Sequence, residues 1–254
     1  MDLLTRDERR SFYARLTQMP NPVHLLIFTR RADSRGSAAR QLGLELRSLS
    51  RNVHLELPDV DANPLLAARY GIGETPAMAL LTGGVVIADT HIRFSGLPEG
   101  PVLTALVDGI VAVSHSPARV PMAADWRRLP LDRPVHLDIY VPRPAAADSQ
   151  ALLWLQRLVL RSTQLSLDVM IGVDSPEWAR RSESAGTTLI VVNDTIVLRD
   201  SGSEEQLLDA LEATTWGEPE RLDREAPDRA VLVGVRPTAA PTAAAAALAV
   251  LTQH

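Results

Sequence analysis

The 254-residue chain contains no cysteine, so it can form neither disulfide bonds nor thiolate metal sites. Aromatic residues make up only 4% of the sequence, which disfavours stacking platforms for nucleic-acid bases. The net charge is −5 and no basic segment of any length is present, whereas a nucleic-acid-binding surface usually needs a basic patch. The apolar runs are shorter than the roughly 20 residues of a membrane-spanning helix. We therefore predict neither a nucleic-acid partner nor a membrane span.

The rest of the composition is that of an ordinary globular protein, with 46% hydrophobic and 22% charged residues. Residues 1–16 are charged and amphipathic and lack the apolar centre of a secretory signal. Together with the absence of cysteine, this favours a cytoplasmic location. The six histidines do not show the i, i+4 spacing of helical metal ligands. We therefore predict no metal site and no cofactor.

An internal repeat organises the chain. The segment PVHLLIF at Pro22–Phe28 returns as PVHLDIY at Pro134–Tyr140, with five of the seven residues identical. Further along, TPAMALLTGGVVIAD at Thr75–Asp89 corresponds to GTTLIVVNDTIVLRD at Gly186–Asp200. A period of about 110 residues is too long for a solenoid repeat and has the size of a small domain. The sequence therefore predicts a tandem duplication of one fold.

Hydrophobic periodicity and turn signals predict the order β-α-β-α-β-β-α in each copy. In the first copy, a buried strand at residues 23–29 leads into a helix at residues 35–49, for which Ser34 is the expected N-cap. A strand in NVHLELPDV, a short helix in NPLLAARYGI, a hairpin around Gly83–Gly84 and a closing helix at residues 99–113 follow. An extra helix is expected at residues 5–18, and the second copy repeats the order between residues 134 and 214.

These patterns predict four segments. They are a first domain with the extra helix at residues 1–115, a proline-rich linker at 116–133, a second domain at 134–215 and a low-complexity tail at 216–254. Within the tail, AVLVGVRP is compatible with an added strand and residues 242–251 with a helix. Both a frayed terminus and a docking peptide for a partner remain open for this tail.

The doubled order resembles the tandem thioredoxin-fold proteins, which include the two-domain glutaredoxin-like protein disulfide oxidoreductases and the N-terminal region of the alkyl hydroperoxide reductase flavoprotein subunit. Three motifs carry the resemblance: HLLIFTRRADSRGSAARQL, YGIGETPAMAL and FSGLPEG. The resemblance covers about residues 20–215. It implies an α/β fold of two tandem thioredoxin-like domains, each with three α/β/α layers.

The resemblance also implies the positions of an active site. Ser34 and Ser37 occupy the two cysteine positions of the family, and Pro76, after Thr75, occupies the cis-proline position. In the family, a thiolate at a helix N-terminus is stabilised by the helix dipole, and the proline loop holds a substrate chain by backbone contacts. A serine hydroxyl cannot form a disulfide and is a poor nucleophile without an adjacent base. The chain as written therefore cannot catalyse dithiol–disulfide exchange.

In the second copy, Ala145 and Asp148 occupy the cysteine positions and Thr187 occupies the proline position. This copy has lost both the thiols and the proline, so we expect a remodelled groove there. The first copy keeps its proline, and its predicted binding groove consists of Arg35, Gly36, Thr75 and Pro76.

Less specific interpretations stand beside these. Helix capping is the simplest role for Ser34 and Ser37. Arg30, Arg31, Arg35 and Arg40 could attract an anionic ligand to the helix start, although a solvated loop is the simpler alternative. His24 and His136 sit at equivalent strand positions, which indicates a role in the fold rather than in catalysis.

Two functions follow from the sequence. The first is a redox-inactive protein-binding adaptor, assembly factor or chaperone-like module whose partner is a protein or an extended peptide segment; a second copy of the chain is a further candidate partner. The alternative is a thiol–disulfide oxidoreductase in whose natural form two cysteines stand where this chain has Ser34 and Ser37. A serine hydrolase is disfavoured because the chain has no G-x-S-x-G motif.

Overall fold

The computed structural model describes residues 2–31, 33–84, 87–115, 134–142, 149–172, 188–193, 196–199, 206–209, 211 and 230–232. Its helices are α1 (Arg6–Leu16), α2 (Ser34–Leu49), α3 (Pro64–Arg69), α4 (Gly100–His115) and α5 (Ser149–Val159). Its strands are β1 (Val23–Phe28), β2 (Val53–Glu56), β3 (Ala77–Thr82), β4 (Asp89–Ser95), β5 (Val135–Val141), β6 (Leu165–Ile171), β7 (Leu189–Val192), β8 (Ile196–Arg199) and β9 (Ala230–Leu232).

The predicted order of elements is confirmed in the first half of the chain. The extra helix α1 precedes β1-α2-β2-α3-β3-β4-α4. Helix α1 begins after Thr5, whose side chain accepts the Glu8 N–H while the Glu8 carboxylate accepts the Thr5 N–H. This reciprocal capping box satisfies two donors that a helix start leaves unpaired.

In the second half, the order β5-α5-β6-β7-β8 is followed by helical residues 206–209. The short helix expected between β6 and β7 lies outside the described residues, as do the linker at 116–133 and the tail helix expected at 242–251. The strand anticipated in AVLVGVRP is present as β9, which pairs antiparallel with β8. The domain boundaries themselves stay a prediction.

The nine strands of the described residues form one continuous sheet in the order β2-β1-β3-β4-β6-β5-β7-β8-β9. The first half contributes a parallel β1–β2 pair and antiparallel β1–β3 and β3–β4 pairs. The second half has the same arrangement, with β5–β6 parallel and β5–β7 and β7–β8 antiparallel. Strand β4 pairs with β6 in parallel and joins the two halves edge to edge.

The two faces of this sheet have different environments. One face carries the main core, where alternate strand residues such as Leu25, Phe94 and Leu137 pack against helices α1, α2, α4 and α5. On the opposite face of the first half, Phe28 and its neighbours pack against Tyr70, which follows α3. The first half is therefore a three-layer α/β/α unit. Among the helices of the described residues, none has the length and apolar character that crossing a membrane requires.

Candidate functional site

The predicted groove lies at one end of the sheet. Phe28, the last residue of β1, is the register partner of Ala77, the first residue of β3. Because β1 ends where the antiparallel β3 begins, the loop into α2 and the Thr75–Pro76 pair lie at the same sheet end. The Thr75–Pro76 peptide bond is cis. Pro76 is buried and Thr75 is half-buried.

Asp33, rather than Ser34, is the N-cap of α2. Its backbone is extended and its carboxylate accepts the Arg35 N–H at 2.9 Å, while its carbonyl oxygen accepts the Ser37 N–H at 3.1 Å. Ser34 is the first helical residue, and both it and Ser37 are exposed. The expectation that Ser34 caps the helix was therefore wrong by one position, because aspartate and serine are about equally good N-caps and stand side by side here.

Gly36 holds the start of α2 against the end of β1. A Cβ atom added to Gly36 would lie 3.2 Å from Thr29 Cβ and 3.4 Å from the Arg30 carbonyl oxygen. Both distances are at or below ordinary van der Waals contact. Because Gly36 has no side chain, α2 can start close to the end of β1. Gly36 therefore supplies space at the predicted groove and no side-chain contact.

The arginines near α2 are partly engaged within the fold. Arg30 Nε lies 3.4 Å from Asp61 Oδ1, and Arg40 Nε donates to Thr29 Oγ1 at 2.7 Å. The helix N-terminus, where an anion would be stabilised, already holds the negative charge of Asp33. This geometry argues against an anion-binding site at the start of α2 and favours the alternative interpretation of a solvated loop.

The main chain of Thr75 differs in its hydrogen bonding from that of the residue that follows it. The next residue, Pro76, is anchored, because its carbonyl oxygen accepts the Gly96 N–H at 2.8 Å. Gly96 has φ +97°, and a Cβ there would lie 2.6 Å from the Ile171 carbonyl oxygen. Within the part of the chain that the structure describes, no hydrogen bond involves the N–H or C=O of Thr75. The third motif, FSGLPEG, thus holds Pro76 in place and leaves the preceding residue unpaired.

The structure brings Ser34, Arg35, Gly36 and Ser37 to the same sheet end as Thr75–Pro76. The equivalent positions of the second half, Ala145, Asp148 and Thr187, lie outside the described residues. His24, which the sequence analysis assigned to the fold, places Nδ1 3.0 Å from Glu56 Oε1 on the neighbouring strand. This contact is consistent with a structural role.

A second group of polar residues lies on the opposite face from the main core, where β4, β6 and β5 adjoin. We call Asp89, Arg93, His136, Asp138 and Asp168 the polar cluster. Arg93, Asp168 and Asp138 are successive register partners across the three strands. The helical i, i+4 spacing of metal ligands does not reveal this cluster, because His136 and Asp138 have the i, i+2 spacing of one strand face.

Arg93 connects the polar cluster with the first half of the chain through contacts to Tyr70 and Asp89. Its guanidinium donates to the Tyr70 carbonyl oxygen at 3.0 Å and to an Asp89 carboxylate oxygen at 2.5 Å, and lies 5.2 Å from the centre of the Tyr70 ring. Burial would raise the pKa of Asp89, but the hydrogen bond and charge of Arg93 outweigh it and lower this pKa. The Arg93 charge is therefore balanced mainly by Asp89.

His136 faces two carboxylates. Its Nε2 atom lies 3.1 Å from Asp138 Oδ1 and 3.6 Å from Asp168 Oδ2, and its Nδ1 atom lies 2.7 Å from Ser166 Oγ. Burial raises the pKa of Asp168, and the charge of Asp138 raises it further, against the lowering effect of His136 and Arg93. The cluster therefore places two carboxylates beside one imidazole, with Asp138 buried and Asp168 and His136 partly exposed.

Comparison with known proteins gives the fold. The N-terminal domain of alkyl hydroperoxide reductase AhpF from Enterococcus faecalis superposes with a TM-score of 0.72 at 20% identity, over 82% of this chain and 99% of that one. A protein disulfide oxidoreductase from Aeropyrum pernix gives 0.70 at 17% identity, over 84% and 94%. The chain has a thioredoxin-like fold. No protein-family model and no curated protein sequence matches it.

This finding confirms the resemblance drawn from the three motifs and the predicted α/β class. The identities to both structures are low, so the similarity establishes the fold alone. The chemistry that a thiol would supply is missing, because the sequence has no cysteine at any position. Thiol–disulfide exchange therefore has no reacting atom in this chain.

Proposed function

We propose that the protein is a redox-inactive binding protein, an adaptor, assembly factor or chaperone-like module, that captures an extended segment of a protein partner. The segment would lie at the sheet end formed by Thr75–Pro76 and the start of α2. The observation that carries the proposal is the main chain of Thr75, which is unpaired among the described residues, beside a buried and anchored Pro76. An extended peptide supplies the alternating N–H and C=O groups that such a main chain can pair with.

The surroundings of Thr75 suit a peptide better than a small anion. Ser34 and Ser37 are exposed at the start of α2 and offer hydroxyl groups to a passing chain. The helix end itself is occupied by the Asp33 carboxylate. The contacts available to a ligand are thus main-chain pairing and hydroxyl groups, which favour an extended segment with polar side chains.

The proposal can be tested with short random peptides displayed on phage and selected against the full-length protein. Binding of a selected peptide should protect the Thr75 amide from hydrogen exchange. Thr75→Trp should abolish binding by filling the groove, whereas Thr17→Trp, which adds the same side chain to the exposed C-cap of α1, should not. Equal binding by wild type and Thr75→Trp would contradict the proposal.

The alternative, a thiol–disulfide oxidoreductase with cysteines at positions 34 and 37 in its natural form, draws on the exposure of Ser34 and Ser37 at a helix start. A thiolate at position 34 would, however, adjoin the Asp33 carboxylate, and a like charge raises a thiol pKa. The intact mass of the protein from its native host, after reduction and thiol alkylation, separates the two. No added mass supports the binding protein, and two alkyl adducts support the oxidoreductase.

A further inference from the structure

Three residues of the polar cluster point metal-ligating atoms at one another. His136 and Asp138 lie two residues apart on β5 and so project from the same face of the sheet. Asp168 on β6 is the register partner of Asp138. One nitrogen of His136 and one carboxylate oxygen of each aspartate all lie within 4.8 Å of one another. The spacing is that of donor atoms around a common centre.

Within the part of the chain that the structure describes, the two carboxylates of this trio have few hydrogen-bond partners. Asp138 is only 5% exposed, and among the described residues its carboxylate has a single hydrogen-bond partner, His136 Nε2. Asp168, opposite it, accepts no hydrogen bond from any described residue, and its Oδ2 atom lies 3.6 Å from Nε2 of the same histidine. Buried carboxylates are normally hydrogen-bonded, paired with charges or bound to metal ions. Buried Asp138 and partly exposed Asp168 share one imidazole, which leaves most of their acceptor capacity without a partner among the described residues.

His136 is held as a metal-ligating histidine is held. Its Nδ1 atom lies 2.7 Å from Ser166 Oγ. The backbone N–H of His136 donates to Asn193 Oδ1 at 2.8 Å, and its backbone carbonyl oxygen accepts the Asn193 N–H at 2.9 Å. When Nδ1 carries the proton and donates to Ser166, Nε2 presents its lone pair to the carboxylates. The Nε2 lone pair and the negative carboxylates repel one another unless a cation lies between them and is coordinated by all three. The hydrogen bond to Ser166 then fixes the orientation of the imidazole ring.

We propose that His136 Nε2, Asp138 and Asp168 bind a divalent transition-metal ion, with Zn²⁺ as the expected ion and Mn²⁺ as the second candidate. One imidazole and two carboxylates suit these ions, whereas Mg²⁺ and Ca²⁺ prefer oxygen ligands throughout. The ion neutralises the charge of the two carboxylates and links β5 to β6 through ligands from both strands. Three protein ligands leave a coordination position for water. The Arg93 guanidinium does not take this role, because it pairs with Asp89.

The test is isothermal titration of the full-length protein, stripped with a chelator, with ZnCl₂ and separately with MnCl₂. Wild type should bind one ion per chain and its unfolding temperature should rise with the ion. The isosteric variant Asp168→Asn should lose this binding, as should His136→Ala. Ser166→Ala should weaken binding by about 10-fold, since it removes the partner that orients the ligand.

The matched control is His24→Ala, which removes a histidine that also faces a carboxylate on a neighbouring strand, Glu56 at 3.0 Å, but lacks a second carboxylate. It should bind Zn²⁺ as wild type does. The proposal is overturned if wild type shows no saturable binding of either ion, which would leave His136 in an ion pair only. It is also overturned if Asp168→Asn binds like wild type, or if binding is lost in His24→Ala instead.

Discussion

Replacement of Gly109 by alanine should destabilise the protein, but only while Gln156 is present. Gly109 is buried in α4, and a Cβ atom there would lie 1.7 Å from Oε1 and 2.8 Å from Cδ of Gln156 on α5. Gln156 is fully buried and its Nε2 donates to the carbonyl oxygens of Ala105 and Leu152. The amide group must therefore move, and it has no solvent to move into.

The expected size follows from two opposing effects. Alanine is favoured over glycine in a helix interior by about 0.5–1 kcal/mol. Overpacking a buried contact costs about 1–3 kcal/mol, so Gly109→Ala should lower the free energy of unfolding by about 1–2 kcal/mol. In a Gln156→Ala background the clash disappears, and the same change should stabilise by about 0.5–1 kcal/mol. The sign of the effect inverts between the two backgrounds.

The assay is a double-mutant cycle from urea unfolding followed by far-UV circular dichroism. The four proteins are wild type, the two single variants and the double variant. A coupling energy of about 2 kcal/mol is expected for residues in direct contact. Equal effects of Gly109→Ala in both backgrounds would refute the α4–α5 packing and, with it, the shared core of the two halves.

Two further predictions concern single carboxylates. Glu45 is buried and accepts the N–H groups of Leu3 and Leu4 and a bond from Arg9; burial opposes ionisation, but these bonds outweigh it and lower the pKa of Glu45. A carboxylate with a lowered pKa in the folded state stabilises the fold at a pH above its unfolded-state pKa, and this contribution is lost as the pH falls through the folded-state pKa. Glu45→Gln should therefore lower the free energy of unfolding by about 1–3 kcal/mol at neutral pH and change it little in acid. If urea titrations show that Glu45→Gln lowers the free energy of unfolding equally at neutral and acidic pH, this prediction is contradicted. Asp33→Ala should cost about 1 kcal/mol as a lost N-cap while Ser34→Ala costs almost nothing, and the reverse order in thermal melts would show that Ser34 is the cap.

Local patterns predicted most of the elements. The apolar run in β1, the helical spacing in α2 and the paired glycines between β3 and β4 are signals carried by neighbouring residues. The structure accordingly places these elements within a few residues of the predicted bounds. Two local details were wrong. Ser34 was expected in place of Asp33 as the cap of α2, because two adjacent residues have similar capping strength. The second hairpin strand was expected directly after Gly83–Gly84, but β4 begins only at Asp89.

Long-range pairing could not be predicted in this way. The repeat predicts two tandem domains but not that β4 and β6 pair in parallel and make one sheet. Neither strand carries a local signal for the other. Arg93 and Asp168 meet only because of that register, and the polar cluster follows from it. The His136–Asp138 spacing was visible in the sequence, but its meaning depended on knowing that Asp168 lies opposite.

The joined sheet gives the second half a structural role. Strand β6 covers what would otherwise be the open edge of β4, and unpaired edges are a liability for association. At the end of that pairing, Gly96 lies against the main chain of Ile171 and donates to the carbonyl oxygen of Pro76. The contact runs from the second half, through Gly96, to the residue that anchors the proposed groove. Selection for partner binding at Thr75 would therefore preserve the second half as structural support, with no need for thiols in either copy.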